Sequence, residues 1–358
     1  MKKKVFVAMS GGVDSSVSAA LLQKEGYDIT GVFMTVWQPD FLECSRSDDR
    51  QEAMRAAAHL DIPFLTFDFE KEYKEMVVDY MVAEYKVGRT PNPDIMCNKH
   101  IKFGLFLKKA LAMGADHIAT GHYARRKELN SKNRALGYEL LAGVDKNKDQ
   151  SYFLWTLGQE QLSRVFFPVG DMEKPEVRKL AQKLGLPNAE RKDSQGVCFV
   201  GEFDMKNFLK HYISEKRGEV LSEKGEAIGY HDGAFYFTLG ERHGFVITKK
   251  TPHDDPYYVV GKDSTKNTLT VAHQKIQETS SAREIVLRDV NFIAGFPPDE
   301  SKKYTARARY RQPLASCAIQ VKDDVVSVVF DDPRELGAPG QSLVLYDGEV
   351  CLGGGIIA

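Results

Sequence analysis

The chain has 358 residues, of which 42% are hydrophobic and 28% charged, a composition typical of a globular protein with room for two or three domains. No stretch approaches the ~20 apolar residues of a membrane span, and the short basic and apolar start does not resemble a signal peptide. We therefore expect a cytoplasmic protein with no membrane partner. The formal net charge of −1 means that any nucleic-acid site must gather its positive charge locally.

The first third of the chain alternates short apolar runs with amphipathic stretches. This alternation predicts an α/β fold, a doubly wound parallel sheet with helices on both faces, which binds ligands at the carboxyl ends of its strands. The predicted strands are residues 5–9, 29–36, 64–67 and 117–120, and the predicted helices are residues 15–25, 49–60, 73–86 and 101–113.

The pattern changes further along the chain. Residues 124–127 and 138–142 predict a hairpin, and residues 159–166 and 175–184 predict helices. From about residue 201 short alternating runs separated by turns predict β structure, which ends in a small closed or sandwich-like domain. We predict domains over residues 1–200, 201–275 and 276–358, with strands over residues 234–239, 257–260, 268–272, 304–310, 316–321, 325–330, 342–346 and 351–357.

The junction between the first predicted strand and helix, residues 10–16, reads Ser-Gly-Gly-Val-Asp-Ser-Ser. Two glycines at a strand end let the backbone approach an anion, and the following helix directs N–H groups and its positive dipole end toward it. No lysine follows the glycines, so the Walker pattern is not present, and the glycine spacing does not match the dinucleotide pattern Gly-x-Gly-x-x-Gly. We predict a pyrophosphate cradle; alternatively, Ser10, Asp14 or Ser15 merely caps the helix.

Other residues near this junction also point to a nucleotide. A carboxylate beside phosphates is repulsive unless a divalent cation bridges them, so Asp14 predicts a Mg²⁺ site. Residues 120–123, Thr-Gly-His-Tyr, end a strand, and Gly121 would let the adenine or ribose approach the backbone. Met34 either packs on the base or belongs to the core, and His122 is either a structural hydrogen-bond partner or a catalyst.

The cysteine count is odd and includes no Cys-x-x-Cys pair, which argues against a disulfide scaffold, a zinc site or an iron–sulfur cluster. Cys97 follows a proline-stiffened segment, and the pattern places it at a helix N-terminus near Lys99, where a thiolate is favoured. Cys198 lies in a polar turn before an apolar run. Each is, alternatively, a small buried hydrophobe. The five cysteines are Cys44, Cys97, Cys198, Cys317 and Cys351.

Two polar segments are candidates for a nucleic-acid surface. Arginines at positions 307, 309 and 311 recur every second residue, so on a strand they would share one face. That face is either an RNA contact or the ordinary solvated side of a β domain. A second polar cluster contains Lys146, Lys148 and Gln150.

Together these segments resemble the tRNA-specific 2-thiouridylase family, called MnmA in bacteria, over nearly the whole chain. The first loop marks only the broad pyrophosphatase-loop class, whereas the two cysteine motifs together are specific. The matching segments are residues 10–16, 88–94, 97–98, 119–123, 147–153, 193–199, 309–313 and 352–355.

The resemblance implies a Rossmann-like pyrophosphatase-loop domain, a small β-rich domain and a C-terminal β-barrel that contacts tRNA. It also implies ATP-dependent replacement of the 2-oxygen by sulfur at a wobble uridine, through an adenylated base, with release of pyrophosphate and AMP. Cys198 would carry the sulfur as a persulfide and Cys97 would act as the second thiol. A closing disulfide requires their Cα atoms to approach within ~7 Å. The implied partners are tRNA and a persulfide-donating sulfur carrier or cysteine desulfurase.

The resemblance also implies roles for individual residues. The target base would contact Asn92, Pro93 and Asp94, and an asparagine amide matches the donor and acceptor edge of uracil. The implied ATP contacts are Ala8, Met9, Ser10, Gly11, Gly12, Val13, Asp14, Ser15, Met34 and Gly121. The implied tRNA contacts are His122, Lys148, Asp149, Gln150, Arg309, Tyr310 and Gln341. If Arg309 and Tyr310 both make contact, the predicted strand must turn or end there.

Two residues of the middle domain differ from the residues usual in the family. Glu241 stands where the family usually has glutamine, and His243 stands where a second basic residue is usual, which puts RNA contacts of the middle domain in doubt.

Two other functions remain as alternatives. A small-molecule AMP-forming ligase would need no cysteine pair and no RNA-facing β domain. A non-catalytic tRNA-binding module would not need Asp14.

Overall fold

The fold was analysed on a computed structural model of the chain. The structure describes residues 2–41, 46–129, 137–192, 205–248, 255–273, 283–323, 325–332 and 337–358. Within these residues, no helix has the length and apolar character needed to span a membrane.

The N-terminal part is a five-stranded parallel sheet with strand order β3-β2-β1-β4-β7. After Lys4 its central strand is apolar and buried, as expected for a strand covered by helices on both faces. The strands are β1 (Lys4–Ala8), β2 (Asp28–Thr35), β3 (Phe64–Asp68), β4 (His117–Ala119) and β7 (Val165–Phe166). The predicted α/β class is confirmed.

The helices of this part follow the predicted order, with shifted ends. They are α1 (Val13–Lys24), α2 (Arg46–His59), α3 (Glu70–Tyr73), α4 (Tyr80–Lys86), α5 (Pro93–Met96), α6 (Leu107–Ala112), α7 (Gln159–Arg164) and α8 (Lys174–Lys183), with π-helical segments at Lys74–Asp79 and Cys97–Phe106 and a 3₁₀ turn at Ser151–Leu154. The predicted helix over residues 159–166 is wrong at its end. Val165 is fully buried and pairs with Ile118, so the sheet edge extends the last two residues as a strand.

The middle part begins with α9 (Met205–Lys210) and forms a second sheet of order β10-β9-β8-β12-β11. Its strands are β8 (Gly218–Leu221), β9 (Ala227–His231), β10 (Val246–Ile247), β11 (Tyr258–Asp263) and β12 (Thr268–Ala272). The predicted strand over residues 234–239 is wrong, because residues 234–236 form a 3₁₀ turn. Gly233 has a φ of +150°, and the N–H of Ala234 donates to Asn267 Oδ1 at 2.9 Å, which turns the chain away from an extended path.

The C-terminal part is a closed antiparallel barrel of six strands. Its strands are β13 (Glu284–Phe292), β14 (Tyr304–Arg307), β15 (Ala315–Lys322), β16 (Val325–Phe330), β17 (Ser342–Asp347) and β18 (Val350–Ile357). Pairing of β13 with both β16 and β18 closes the barrel around an apolar core. The predicted barrel is therefore confirmed.

The hairpin of β5 (Ala124–Leu129) and β6 (Gly137–Ala142) connects the parallel sheet to the barrel. Its second strand pairs with β18 through Leu140 and Leu141, which lie opposite Cys351 and Val350. The hairpin was predicted from local pattern, but its pairing partner lies more than 200 residues away. This pairing holds the barrel against the N-terminal part.

Candidate active site

The loop formed by residues 10–16, the pyrophosphate loop, joins β1 to α1 at the carboxyl edge of the sheet. Gly11 has a φ of +80°, and a Cβ there would lie 2.4 Å from the carbonyl oxygen of Asp49, so the turn requires glycine. Asn188 Nδ2 donates to Gly11 O at 2.9 Å, and Arg191 Nη1 donates to the same oxygen at 3.2 Å. Arg191 is itself ion-paired with Asp49.

The first turn of α1 has no side-chain cap. Gly12 occupies the N-cap position, and the hydroxyl groups of Ser15 and Ser16 donate to its carbonyl oxygen at 3.0 and 3.2 Å. The alternative that Ser10, Asp14 or Ser15 serves as a simple cap is therefore wrong. N–H groups at an uncapped helix start are an anion-binding feature, which fits a phosphate chain.

Asp14 lies in the first turn of α1 and has a cationic neighbour that the sequence reading missed. Lys174 Nζ lies 2.7 and 2.9 Å from the two carboxylate oxygens of Asp14, and the hydroxyl of Tyr123 donates to Asp14 Oδ1 at 2.8 Å. Lys174 is the first residue of α8, directly before Pro175. A lysine at the start of a predicted helix was the available sequence signal, but nothing local tied it to residue 14.

Both oxygens of Asp14 contact Lys174, so a Mg²⁺ ion at this carboxylate would replace one of those contacts and would take its other ligands from phosphate oxygens and water. Within the described ranges, no group of three or more His, Cys, Asp or Glu side chains could hold a metal ion. A cation at Asp14 would therefore depend on the phosphates for most of its coordination.

The other predicted nucleotide residues lie at the same edge of the sheet. Ala8 and Met34 lie near the ends of the paired strands β1 and β2. A Cβ at Gly121 would lie 2.7 Å from the backbone nitrogen of Ser15, so α1 already occupies the space that the missing side chain leaves. The structure thus brings the predicted ATP contacts together around the start of α1.

His122 is buried beside this edge. Its Nδ1 lies 2.7 Å from the hydroxyl of Thr120, and its ring packs near Phe103. Burial, with a smaller contribution from Lys102, lowers the pKa of His122 well below its ordinary value, so the ring is neutral at pH 7. This placement favours the structural reading of His122; its predicted tRNA contact stays a prediction.

Cys97 is buried and lies within a helix, not at its start. The side-chain oxygen of Asn92 caps α5 by accepting from the N–H groups of Asp94 and Ile95 at 3.1 and 3.3 Å. The N–H of Cys97 already donates to the carbonyl oxygens of Pro93 and Asp94. The expectation that Cys97 stands at a helix N-terminus is therefore wrong, since the helix begins one turn earlier.

Cys198 and its motif, residues 193–199, lie outside the described residues, as does Cys44. The convergence of Cys97 and Cys198 therefore stays a prediction. Cys317 and Cys351 are buried in or against the barrel. Burial raises the pKa of the Cys351 thiol to about 12, which makes it a poor nucleophile at neutral pH.

A second set of predicted residues lies in the loop before the first 3₁₀ turn, just after β14 and just before β17. We call these residues the rim cluster: Lys148, Gln150, Arg309, Tyr310 and Gln341. The strand β14 ends at Arg307, and Gln312 Oε1 accepts from the N–H groups of Ala308 and Arg309 at 2.9 and 3.1 Å. The chain therefore turns at residues 309–310, so the strand does not keep Arg309 and Tyr310 on opposite faces, and their contacts with tRNA stay a prediction. Arg311 has a φ of +62°, which also belongs to a turn.

The predicted arginine stripe over positions 307, 309 and 311 is wrong. Arg307 is buried and forms an ion pair of 2.6 Å with Asp149, which also accepts from the N–H groups of Gly143 and Ser151. Asp149 thus fixes the loop that carries Lys148. Its predicted direct contact with tRNA stays a prediction, and the structure gives it this supporting position.

Contacts across the domain boundary place the rim cluster beside the N-terminal part. The ring of Tyr310 lies 4.7 Å from that of Phe153, and Arg311 Nε donates to Asn147 O at 3.0 Å. Gln150 Oε1 accepts from the N–H of Tyr123 at 2.9 Å, which links the cluster to the nucleotide edge of the sheet.

The segment that leads to Cys97 is held against the barrel. The N–H of Thr90 donates to Pro339 O at 2.8 Å, close to Gln341. Glu84 forms hydrogen-bonded ion pairs with Arg89 of this segment and with Arg288 of β13, each at 2.6 Å. The hydrogen bond from Arg89 is the main cause that lowers the pKa of Glu84, despite its burial.

The residues that depart from the family lie in the middle part. Glu241 accepts from the N–H of Thr238 at 3.0 Å, and Thr238 Oγ1 lies 3.3 Å from Thr90 Oγ1. His243 is exposed and lies 3.0 Å from Arg242 Nε. Glu241 therefore shapes a turn that faces Thr90, within residues 88–97, which we call the target-base segment.

Three family models match the chain in consecutive blocks. A model described as the tRNA methyl transferase HUP domain matches residues 3–202, and one described as the tRNA methyl transferase PRC-barrel domain matches residues 206–273. A model described as the aminomethyltransferase beta-barrel domain matches residues 282–357.

Relatives match along nearly the full length. The tRNA-specific 2-thiouridylase MnmA of Listeria monocytogenes serovar 1/2a is 45% identical over 99% of this chain and 94% of the relative. The protein of the same name from Streptococcus thermophilus is 44% identical over 99% of this chain and 95% of the relative. With the first family model covering more than half of the sequence, the chain belongs to the tRNA-specific 2-thiouridylase (MnmA) family of enzymes.

Proposed function

We propose that this enzyme, a tRNA-uridine sulfurtransferase, catalyses ATP-dependent 2-thiolation of the wobble uridine of tRNA in the cytoplasm. The observation that carries the proposal is the pyrophosphate loop, in which an uncapped helix start faces the carboxyl edge of the sheet. Relatives that match over nearly their full length are named tRNA-specific 2-thiouridylases, which supports tRNA and sulfur as the other substrates.

The loop would bind the β- and γ-phosphates of ATP through the N–H groups of Val13, Asp14 and Ser15. The uracil 2-oxygen would attack the α-phosphorus, pyrophosphate would leave into the loop, and an adenylated base would form. This step turns a poor leaving group into AMP. Mg²⁺ at Asp14 would offset negative charge on the phosphates.

Sulfur transfer would use the two cysteines. The terminal sulfur of a Cys198 persulfide would attack C2 of the base, and AMP would leave. The Cys97 thiolate would then attack the Cys198 sulfur, which breaks the S–S bond, frees the thiolated base and leaves a Cys97–Cys198 disulfide. A thiol reductant would restore both thiols, and a sulfur carrier or cysteine desulfurase would supply the next persulfide.

The base would be recognised by the segment of Asn92, Pro93 and Asp94, and the tRNA by His122, Asp149 and the rim cluster. The target-base segment supports this role, since it is tied to the barrel at Thr90 and lies within the helical run that carries Cys97. Asn92 uses its amide oxygen to cap α5. Its amide nitrogen would therefore donate to the base, while another acceptor would meet N3–H.

Mass spectrometry of tRNA incubated with enzyme, Mg-ATP and a persulfide source tests the proposal. One uridine should gain the mass difference between sulfur and oxygen, with equal amounts of AMP and pyrophosphate released. Cys97→Ser and Cys198→Ser should each abolish the gain while ATP binding survives. Cys317→Ser, a matched change at a buried barrel cysteine, should leave the gain intact; normal turnover in either of the first two variants would refute the thiol mechanism.

A further inference from the structure

Lys174 is a buried lysine whose ammonium group lies at the pyrophosphate loop. Its side chain is 10% exposed, and Nζ contacts both carboxylate oxygens of Asp14. Its backbone N–H donates to Asp145 Oδ2 at 3.0 Å, which fixes the start of α8. Lysine is seldom buried to this degree, because an ammonium group loses its hydration.

Packing alone does not account for this lysine. Helices α1 and α8 already meet through an apolar cluster that includes Val13, Val17, Val177 and Ala181. An apolar side chain at position 174 would avoid the cost of removing an ammonium group from water, but it would leave the partly buried carboxylate of Asp14 without its cation. The charge at position 174 is therefore set by the pyrophosphate loop and not by the packing of the two helices.

The arrangement leaves the ammonium group able to change partner. Asp14 also accepts from the hydroxyl of Tyr123, so its carboxylate keeps a hydrogen bond when Lys174 turns away. Arg191, a second cation at the loop, is instead held by Asp49 and by Gly11 O.

On the ATP-dependent function proposed above, we infer that Lys174 is a ligand of the pyrophosphate part of ATP. In the free enzyme Asp14 holds the ammonium group in place. When substrate binds, the ammonium group exchanges a carboxylate oxygen for a phosphate oxygen and offsets the charge of the pyrophosphate as it leaves. No bond is made or broken by Lys174, which acts by charge and by donating hydrogen bonds.

Calorimetric titration of the full chain with inorganic pyrophosphate and with adenosine, both without Mg²⁺, tests the inference. Lys174→Met should raise the Kd for pyrophosphate about tenfold to a hundredfold and leave that for adenosine unchanged. Lys179→Met, the same change at an exposed position of α8, should behave as the wild type. An unchanged pyrophosphate Kd in Lys174→Met would overturn the inference.

Asp14→Asn separates a phosphate ligand from a structural ion pair, and it remains informative even if Lys174→Met fails to fold. Removal of the competing carboxylate should leave pyrophosphate binding as tight as in the wild type or tighter. If the pair is only structural, this variant should weaken binding, which would contradict our inference. If the wild type binds neither ATP nor pyrophosphate, the proposed function itself fails.

Discussion

The pyrophosphate loop and the rim cluster differ in what holds them in place. The loop has its own local backbone geometry, namely the positive φ of Gly11 and the uncapped start of α1 at Gly12, to which distant side chains such as Asn188 and Lys174 add hydrogen bonds. The rim cluster is positioned by buried charges that join distant parts of the chain, above all Asp149 with Arg307. A short motif therefore reveals the first region, whereas the second depends on the whole fold.

The largest effect should come from breaking the buried pair beneath the rim cluster. Arg307→Met leaves the Asp149 carboxylate buried without its cation, and we expect a loss of about 3–5 kcal/mol in the free energy of unfolding. Denaturant unfolding measures this loss. The double variant with Asp149→Asn should recover part of it, and pyrophosphate binding should persist in the folded fraction; a loss below 1 kcal/mol, on the order of a surface pair, would contradict the prediction.

A smaller loss should follow from crowding the pyrophosphate loop. Gly121→Ala places a Cβ 2.7 Å from the backbone nitrogen of Ser15, which must shift α1, and we expect a loss of about 1–3 kcal/mol in stability. ATP affinity should fall while tRNA affinity changes little. Gly261→Ala, whose Cβ would make ordinary contact with Thr270 at 3.5 Å, is the control in parallel unfolding and binding measurements.

Glu84→Gln tests the charged link between the target-base segment and the barrel. The pKa of Glu84 is lowered in the folded state, so its carboxylate stabilises the fold at pH values above the ordinary glutamate pKa of 4.5. This stabilisation disappears as the pH falls through the pKa of the folded state. We expect a loss of about 1–2 kcal/mol at pH 7 and a raised KM for tRNA. Unfolding curves at pH 7 and pH 4 should show the variant converging with the wild type on acidification.

The smallest expected effect is a change in how the free energy of unfolding depends on pH, and it involves Lys262 in the middle part. Burial lowers the pKa of Lys262 to about 8, against a smaller opposing effect of Glu241. The unfolded chain therefore holds more protons than the folded chain between pH 8 and the ordinary lysine value, so this group makes stability rise with pH there. Lys262→Met should flatten the rise of stability with pH in unfolding measurements. If stability rises with pH as steeply as in the wild type, the lowered pKa of Lys262 would be contradicted.

Local sequence was sufficient for the features that depend on chain geometry over a few residues. The alternation of apolar runs predicted the parallel sheet, and Ser-Gly-Gly-Val-Asp-Ser-Ser predicted the loop at its edge. Errors arose where a distant partner decided the conformation. Val165 and Phe166 became a strand because Ile118 and Ala119 offered a free sheet edge, and residues 234–236 turned because Asn267 accepts a hydrogen bond from Ala234.

The sequence by itself determined the fold class, the anion-binding loop and the family resemblance, because each is written in short-range periodicity or in contiguous motifs. Only the tertiary structure decided that Lys174 meets Asp14 and that Arg307 is buried on Asp149. The residues of each pair are separated by 160 and 158 positions along the chain. Local patterns do not record such contacts, because they form only when separate elements pack and buried charges must find partners.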